Sequence, residues 1–249
     1  MAPPRPRPEI PDIVAATRAS GIHHLDLQFT DVIGAVKTVT IPADALGSAL
    51  EHGVWFDGSS VESVARTAES DMYLVPDPAT FAVLPWAQPP TGRLLCWVTT
   101  PDGEAYPGDP RGALRRAIEQ AAAAGFSYRV GPEIEFYLLE RDELGRPVPP
   151  PHDRGGYFDF ATDPSVAVRQ AMAEQLGPMG LDINTLHHEV AGGQHEIDVS
   201  AQEVLKAADD ALYRAKARGR NCCELAPPVE PELSGPGEAL PAPLRSGSR

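Results

Sequence analysis

The sequence predicts an α+β chain in two parts, and three observations carry that expectation. Short alternating strands surround one helix before residue 103, a well-bounded helix opens at Asp109, and a later set of strands bears four glutamates at paired spacings. With 249 residues and 42% hydrophobic content, the chain is long and apolar enough for one large domain or two small ones.

In chain order, residues 1–8 form a Pro-Arg leader expected to be disordered. Residues 10–19 read as a short helix with Ile13, Val14 and Ala16 on its apolar side. Residues 23–30 alternate as a strand with Leu25, Leu27 and Phe29 on one face, and Asp31-Val-Ile-Gly turns the chain into a second strand over 35–41. Pro42-Ala-Asp-Ala-Leu opens a helix that Gly53 ends. Strands at 72–75, 81–84 and 94–99, separated by Pro- and Gly-rich turns, complete a first domain over 9–103. Pro110 in the first turn and Gly125 beyond the last bound the next helix. A strand over 126–140, a Pro-rich loop at 146–152 and a helix over 165–177 follow. Ser200-Ala-Gln-Glu203 has the form of a capping box, opening a helix over 201–217 with Val204, Ala208, Ala211, Leu212 and Ala215 as its stripe. Residues 225–249, rich in Pro, Gly and Ser, read as a disordered tail.

The glutamates carry the chemistry. Glu133 and Glu135 stand two apart in the 126–140 strand, so both lie on one face. Gly192-Gly193 reads as a two-residue hairpin turn between 185–190 and 194–199. A turn centred there sets Glu189 directly opposite Glu196. Like charges so placed destabilise a sheet unless something compensates, and a bound cation does so. Four hard oxygen donors suit Mg²⁺ or Mn²⁺ better than zinc. The competing reading is a set of solvated surface acids. Strand parity turns His188 and His195 away from the glutamates, so a hydrogen-bonded structural role is preferred for those two, and it is the competing reading for His187.

Composition excludes some classes. A net charge of −14 leaves no basic excess for nucleic acid. Three cysteines, two of them adjacent, make no disulfide framework. No apolar run reaches the length of a membrane span, and the N-terminus has no secretory signal, so a cytoplasmic location is expected.

Phe56-Asp-Gly-Ser-Ser60, Ser70-Asp-Met-Tyr-Leu-Val-Pro-Asp-Pro78, Pro85-Trp86, Gly131-Pro-Glu-Ile-Glu-Phe136, Gly156-Tyr-Phe-Asp159 and His187-His-Glu-Val-Ala-Gly-Gly-Gln-His-Glu-Ile-Asp198 occur in that order. Together they resemble class I bacterial glutamine synthetase over residues 9–199. The resemblance implies a β-grasp domain over 9–103 and the first part of a catalytic α/β domain over 104–199. It implies ATP-dependent ligation of ammonia to glutamate through γ-glutamyl phosphate. It assigns one metal to Glu135, Glu189 and Glu196, and Glu133 to a second metal on the nucleotide. Asp57 matches the carboxylate that deprotonates ammonium in a neighbouring subunit's site, and Ser60 and Tyr157 match positions near that pocket. Read from the residues alone, Asp57 is a turn aspartate, Ser60 a helix cap and Tyr157 a core aromatic. Asn184 stands where the family has a glutamate in the nucleotide pocket.

Past Val199 the resemblance stops, and residues 200–224 are similar instead to the last helix and turn of GGDEF-type diguanylate cyclases, without that domain's signature. The expectation is a truncated synthetase whose ligase activity is impaired or lost. The alternative is a non-catalytic remnant that binds divalent metal or associates with intact synthetase subunits.

Overall fold

Alternation along the first strands builds the first core. A computed structural model describes residues 10–61, 71–157, 159, 165–203 and 205. The expected leader, tail and cyclase-like turn lie outside the described residues, as does nearly all of the expected 201–217 helix. Helix α1 (Ile10–Ala19) leads into strands β1 (His24–Thr30) and β2 (Val36–Pro42). Helix α2 (Leu46–His52) and strands β3 (Val54–Asp57), β4 (Asp71–Pro76), β5 (Ala82–Val83) and β6 (Thr91–Thr99) complete the unit. The sheet order is β2-β1-β6-β4-β3, with β5 also on β6, and only the β1–β6 pair is parallel.

Leu25, Leu27 and Phe29 are buried as their alternation predicts. They pack with Leu46, Met72, Leu74 and Leu94 beneath α1 and α2. Each such side chain contributes about 1.5–3 kcal/mol when fully buried. On α1 the structure corrects one expectation. Ala16 is exposed, and Thr17 takes the inner position with its hydroxyl donating to the Ile13 carbonyl at 2.8 Å. Gly53 ends α2 at φ +72°, where an added Cβ would lie 3.0 Å from the Leu74 carbonyl oxygen.

Helix α3 (Pro110–Ala123) docks on the other side of β6. Asp109 caps it, accepting from Arg111 N at 3.0 Å and from Val98 N of β6 at 3.3 Å. Burial pushes the Asp109 carboxyl above its ordinary range. Arg111 reaches Asp77 at 2.9 Å and stacks 3.6 Å above the Trp97 ring, with Arg115 at 4.3 Å from the same ring.

The stretch expected as one strand over 126–140 is three: β7 (Arg129–Val130), β8 (Glu133–Tyr137) and β9 (Glu140–Arg141). The first break falls at Gly131-Pro132, where proline has no N–H to give a ladder. Strand β9 pairs with β10 (Pro147–Val148) around a turn held by Asp142. Helix α4 (Ser165–Leu176) precedes β11 (Ile183–His188) and β12 (Gln194–Val199), and the second sheet runs β11-β12-β8, all antiparallel. One face of it packs Ile134, Phe136, Leu186, Ile197 and Val199 against Met172 and Leu176 of α4, with Leu84 of the first unit in the same cluster. The capping box at 200–203 is not used as one. Gln202–Glu203 form β13, which pairs with β7.

Candidate metal centre

The second sheet's other face holds the acids. Residue parity puts Glu133 and Glu135 of β8 together, as expected. The hairpin register differs from expectation by two residues. His187 faces Glu196 and His188 faces His195, while Glu189 N donates to the Gln194 carbonyl at 2.8 Å. Glu189 is therefore diagonal to Glu196, on the same face but not opposite it. The loop has four residues, Val190 to Gly193, closed by Gln194 N donating to the Ala191 carbonyl at 3.0 Å. A two-residue type I′ turn needs positive φ at both central positions, and only Gly193 has it, at +77°. Gly192 serves a close approach instead, since a Cβ there would meet the Asp153 carbonyl oxygen at 2.9 Å.

The like-charge opposition recurs on the neighbouring pair of strands. Glu135 stands opposite Glu196, and Glu133 opposite Asp198. Asp198 and His187 thus join the face, and sequence reasoning missed both. Strand parity could have found them, because 196 and 198 share a face and 187 shares one with 189.

His187 binds the acids from the middle. Its Nδ1 lies 3.4 Å from Glu189, and its Nε2 lies 3.4 Å from both Glu196 and Asp198. Glu135 accepts from the Gln194 amide at 2.7 Å, and the Thr185 hydroxyl donates to Asp198. The Tyr157 ring is 4.3 Å from the His187 ring. Burial, followed by the charges of Glu196, Glu189, Asp198 and Glu133, pushes the Tyr157 phenol upward.

Glu196 is the most enclosed of these acids, 6% exposed. Burial first, then proton sharing with Glu189 and Asp198, pushes its carboxyl up to about 8. Among the described residues no lysine or arginine forms an ion pair with this group. The face is short of positive charge, and its donors are carboxylate oxygens with one imidazole. Donor atoms of His187, Glu196 and Asp198 lie within 4.8 Å of one another. The carboxylate oxygens of that set fit Mg²⁺ or Mn²⁺, which take oxygen ligands.

The other expected site residues lie elsewhere. Asp57 ends β3 at the edge of the first sheet and accepts from Ser59 N at 2.9 Å and Ser59 Oγ at 2.6 Å. Those two bonds hold its carboxyl below the ordinary range. Ser60 closes the same short turn, and its side chain is outside the described residues. Within one chain, then, the structure joins Tyr157 to the glutamates and puts Asp57 and Ser60 on a different sheet.

Comparison with known proteins agrees with this division. Residues 21–101 match the glutamine synthetase β-grasp domain model, and residues 107–219 match the glutamine synthetase catalytic domain model. The second match runs past residue 199 into the stretch read as cyclase-like. The chain is 46% identical over 205 residues to a glutamine synthetase of Halobacterium salinarum, covering 80% of this chain and 45% of the relative. It is 45% identical to one of Methanosarcina mazei, covering 81% and 46%, and 42% identical to one of Staphylococcus aureus, covering 80% and 46%. The chain spans less than half the length of these curated relatives. Among solved structures, a GmaS–ADP complex superposes with a TM-score of 0.71 at 26% identity, over 81% of this chain and 47% of that one. A Plasmodium falciparum glutamine synthetase shares the fold, with a TM-score of 0.70 at 20% identity over 83% of this chain and 47% of that one. No helix among the described residues is long and apolar enough to cross a membrane. The chain belongs to the glutamine synthetase family, and it carries that family's β-grasp domain followed by catalytic-domain sequence.

Proposed function

We propose that the acid face of the second sheet is the divalent-metal site of a glutamine-synthetase-type ligase. In the reaction, glutamate takes the γ-phosphoryl group of ATP to give γ-glutamyl phosphate and ADP, and ammonia then displaces phosphate to give glutamine. The observation that carries the reading is the row of opposed carboxylates, Glu135 against Glu196 and Glu133 against Asp198, with no lysine or arginine ion pair to it among the described residues and His187 beside Glu196 and Asp198.

Bound there, Mg²⁺ or Mn²⁺ would supply positive charge to a transferring phosphoryl group. Glu135, Glu189 and Glu196 would hold one ion, and Glu133 would contribute to a second. Tyr157, whose ring lies tilted against that of His187, borders the same face and helps shape the amine pocket. Asp57 removes a proton from ammonium so that the nitrogen lone pair can attack. The family resemblance has Asp57 act on the site of a neighbouring subunit in a homo-oligomer, with Ser60 beside it, and the place of Asp57 on a different sheet from the acid face is compatible with that.

A second reading is a non-catalytic metal-binding chain that associates with intact synthetase subunits. Incubating the full chain with Mn²⁺, ATP, glutamate and hydroxylamine separates the two. Formation of γ-glutamyl hydroxamate supports the ligase. Saturable Mn²⁺ binding without hydroxamate overturns the ligase and leaves the second reading.

A further inference from the structure

Behind the acid face, on the buried side of the same sheet, lies a polar cluster that the metal reading does not use. The Asp153 carboxylate, fully enclosed, sits between two histidines. His188 Nε2 is 2.5 Å from Asp153 Oδ1, and His195 Nε2 is 3.0 Å from Asp153 Oδ2. His188 Nδ1 lies 2.5 Å from the Glu189 carbonyl oxygen. Arg169 of α4 meets His195 Nδ1, and Ser165 Oγ approaches Asp153 at 3.4 Å.

These three donors could be taken for a metal site of their own, but the geometry argues otherwise. Tetrahedral ligands about 2.1 Å from zinc stand roughly 3.4 Å apart. Both histidine nitrogens are closer than that to the carboxylate, at hydrogen-bond distance. The guanidinium of Arg169 on His195 also opposes a cation there.

The donor pattern is defined. Arginine has no acceptor, so it donates to His195 Nδ1, and His195 Nε2 carries the ring proton that Asp153 accepts. Both ring nitrogens of His188 face oxygen acceptors. One carboxylate thus accepts from two histidines, one on each strand of the hairpin, and each immediately precedes a glutamate of the acid face. His188 precedes Glu189, and His195 precedes Glu196. The loop that supplies Asp153 also fits against the hairpin. A Cβ on Gly155 would touch the His188 ring at 3.6 Å, and a Cβ on Gly192 would collide with the Asp153 carbonyl at 2.9 Å. Two residues beyond Gly155, the same loop brings Tyr157 to the acid face.

We infer that Asp153 is a positioning residue for the metal centre, setting the spacing of Glu189 and Glu196 by binding His188 and His195 from beneath the sheet. The inference rests on the metal reading above. Partners behind ligating groups that fix ligand orientation typically change metal affinity 10–100-fold when lost. Here the tie passes through the backbone of each strand rather than through the ligand itself.

Asp153→Asn keeps the shape but replaces one accepting oxygen with an amide NH2, a donor, that faces a histidine N–H. The test is a Mn²⁺ titration of the full chain by electron paramagnetic resonance, with metal-free melting temperature measured in parallel. Asp153→Asn is expected to weaken Mn²⁺ binding about tenfold or more at a temperature where its circular dichroism matches wild type. A lower melting temperature with Mn²⁺ affinity within twofold of wild type would overturn the inference, because Asp153 would then be merely structural. Absence of saturable Mn²⁺ binding by the wild-type chain overturns the metal reading and this inference with it. Should Asp153→Asn fail to fold, His188→Asn leaves the Asp153–His195 bond in place, and unchanged affinity in that variant would overturn the inference as well. In the unaltered chain, imidazole proton spectra are expected to show two slowly exchanging Nε2–H signals from His188 and His195, and their absence would contradict the bonding pattern itself.

Discussion

The two sheets of this chain use the same strand periodicity for opposite ends. In the first, β6 is buried almost without interruption from Gly92 to Cys96, because α1 and α2 cover one face and α3 docks on the other. In the second, β12 alternates between an apolar face under α4 and an acid face with Glu196 and Asp198. Covering both faces of a sheet gains stability. Aligning carboxylates across two strands loses some, and a fold keeps such a row only where it gains something else from it. The difference separates a scaffold from a site without reference to any relative.

The largest expected effect should therefore be on the scaffold. Leu94→Ala removes a fully buried side chain from the first core and is expected to cost about 2–5 kcal/mol in urea unfolding. A loss under ~1 kcal/mol would mean that this core is not packed as described.

The second sheet should respond with the opposite sign. Glu196→Gln removes a repelled charge, so the metal-free melting temperature at pH 9 is expected to hold or rise while Mn²⁺ affinity falls at least tenfold. Calorimetry and metal titration on the same sample check both halves. A fall in both would make Glu196 part of the scaffold and erase the contrast.

pH sharpens the same point. The Glu196 carboxyl stands at about 8 in the fold against 4.5 for the ordinary group. Across that window the folded chain keeps a proton that the unfolded chain has released. The contribution is complete below the unfolded value and is lost as pH rises toward about 8, so metal-free stability should decline over that range. Saturating Mg²⁺ takes the place of the proton and should flatten the decline. Melting curves from pH 5 to pH 9, with and without Mg²⁺, read this directly.

The smallest effect is expected at Asp57. It is exposed and bonds only within its own turn among the contacts described, so Asp57→Ala should lower the melting temperature slightly and leave Mn²⁺ affinity unchanged. Hydroxamate formation is the assay in which loss of Asp57 should show.

Much of this was legible in the residues. Period-two alternation located β1 and put Glu133 with Glu135 on one face, because side-chain parity is a local property. Register is not local. Gly192-Gly193 resembled a two-residue turn, yet Gly192 is needed for contact with the loop carrying Asp153, which no short window of sequence shows. The same limit applies to Ser200-Ala-Gln-Glu203. Its capping pattern is intact, but pairing of Gln202–Glu203 with Arg129–Val130 overrides it. Asp198 and His187 were within reach of parity, since 198 shares a face with 196 and 187 with 189. Which acids stand opposite them, Glu133 and Glu196, is set by register alone.

The central claim, that opposed carboxylates on the second sheet form a divalent-metal centre, is tested most directly by Mn²⁺ titration of the full chain beside its Glu196→Gln variant. Saturable binding that Mg²⁺ displaces, and that weakens at least tenfold in the variant, is the expected result. No saturable binding up to millimolar Mn²⁺, or equal affinity in the two proteins, would contradict it.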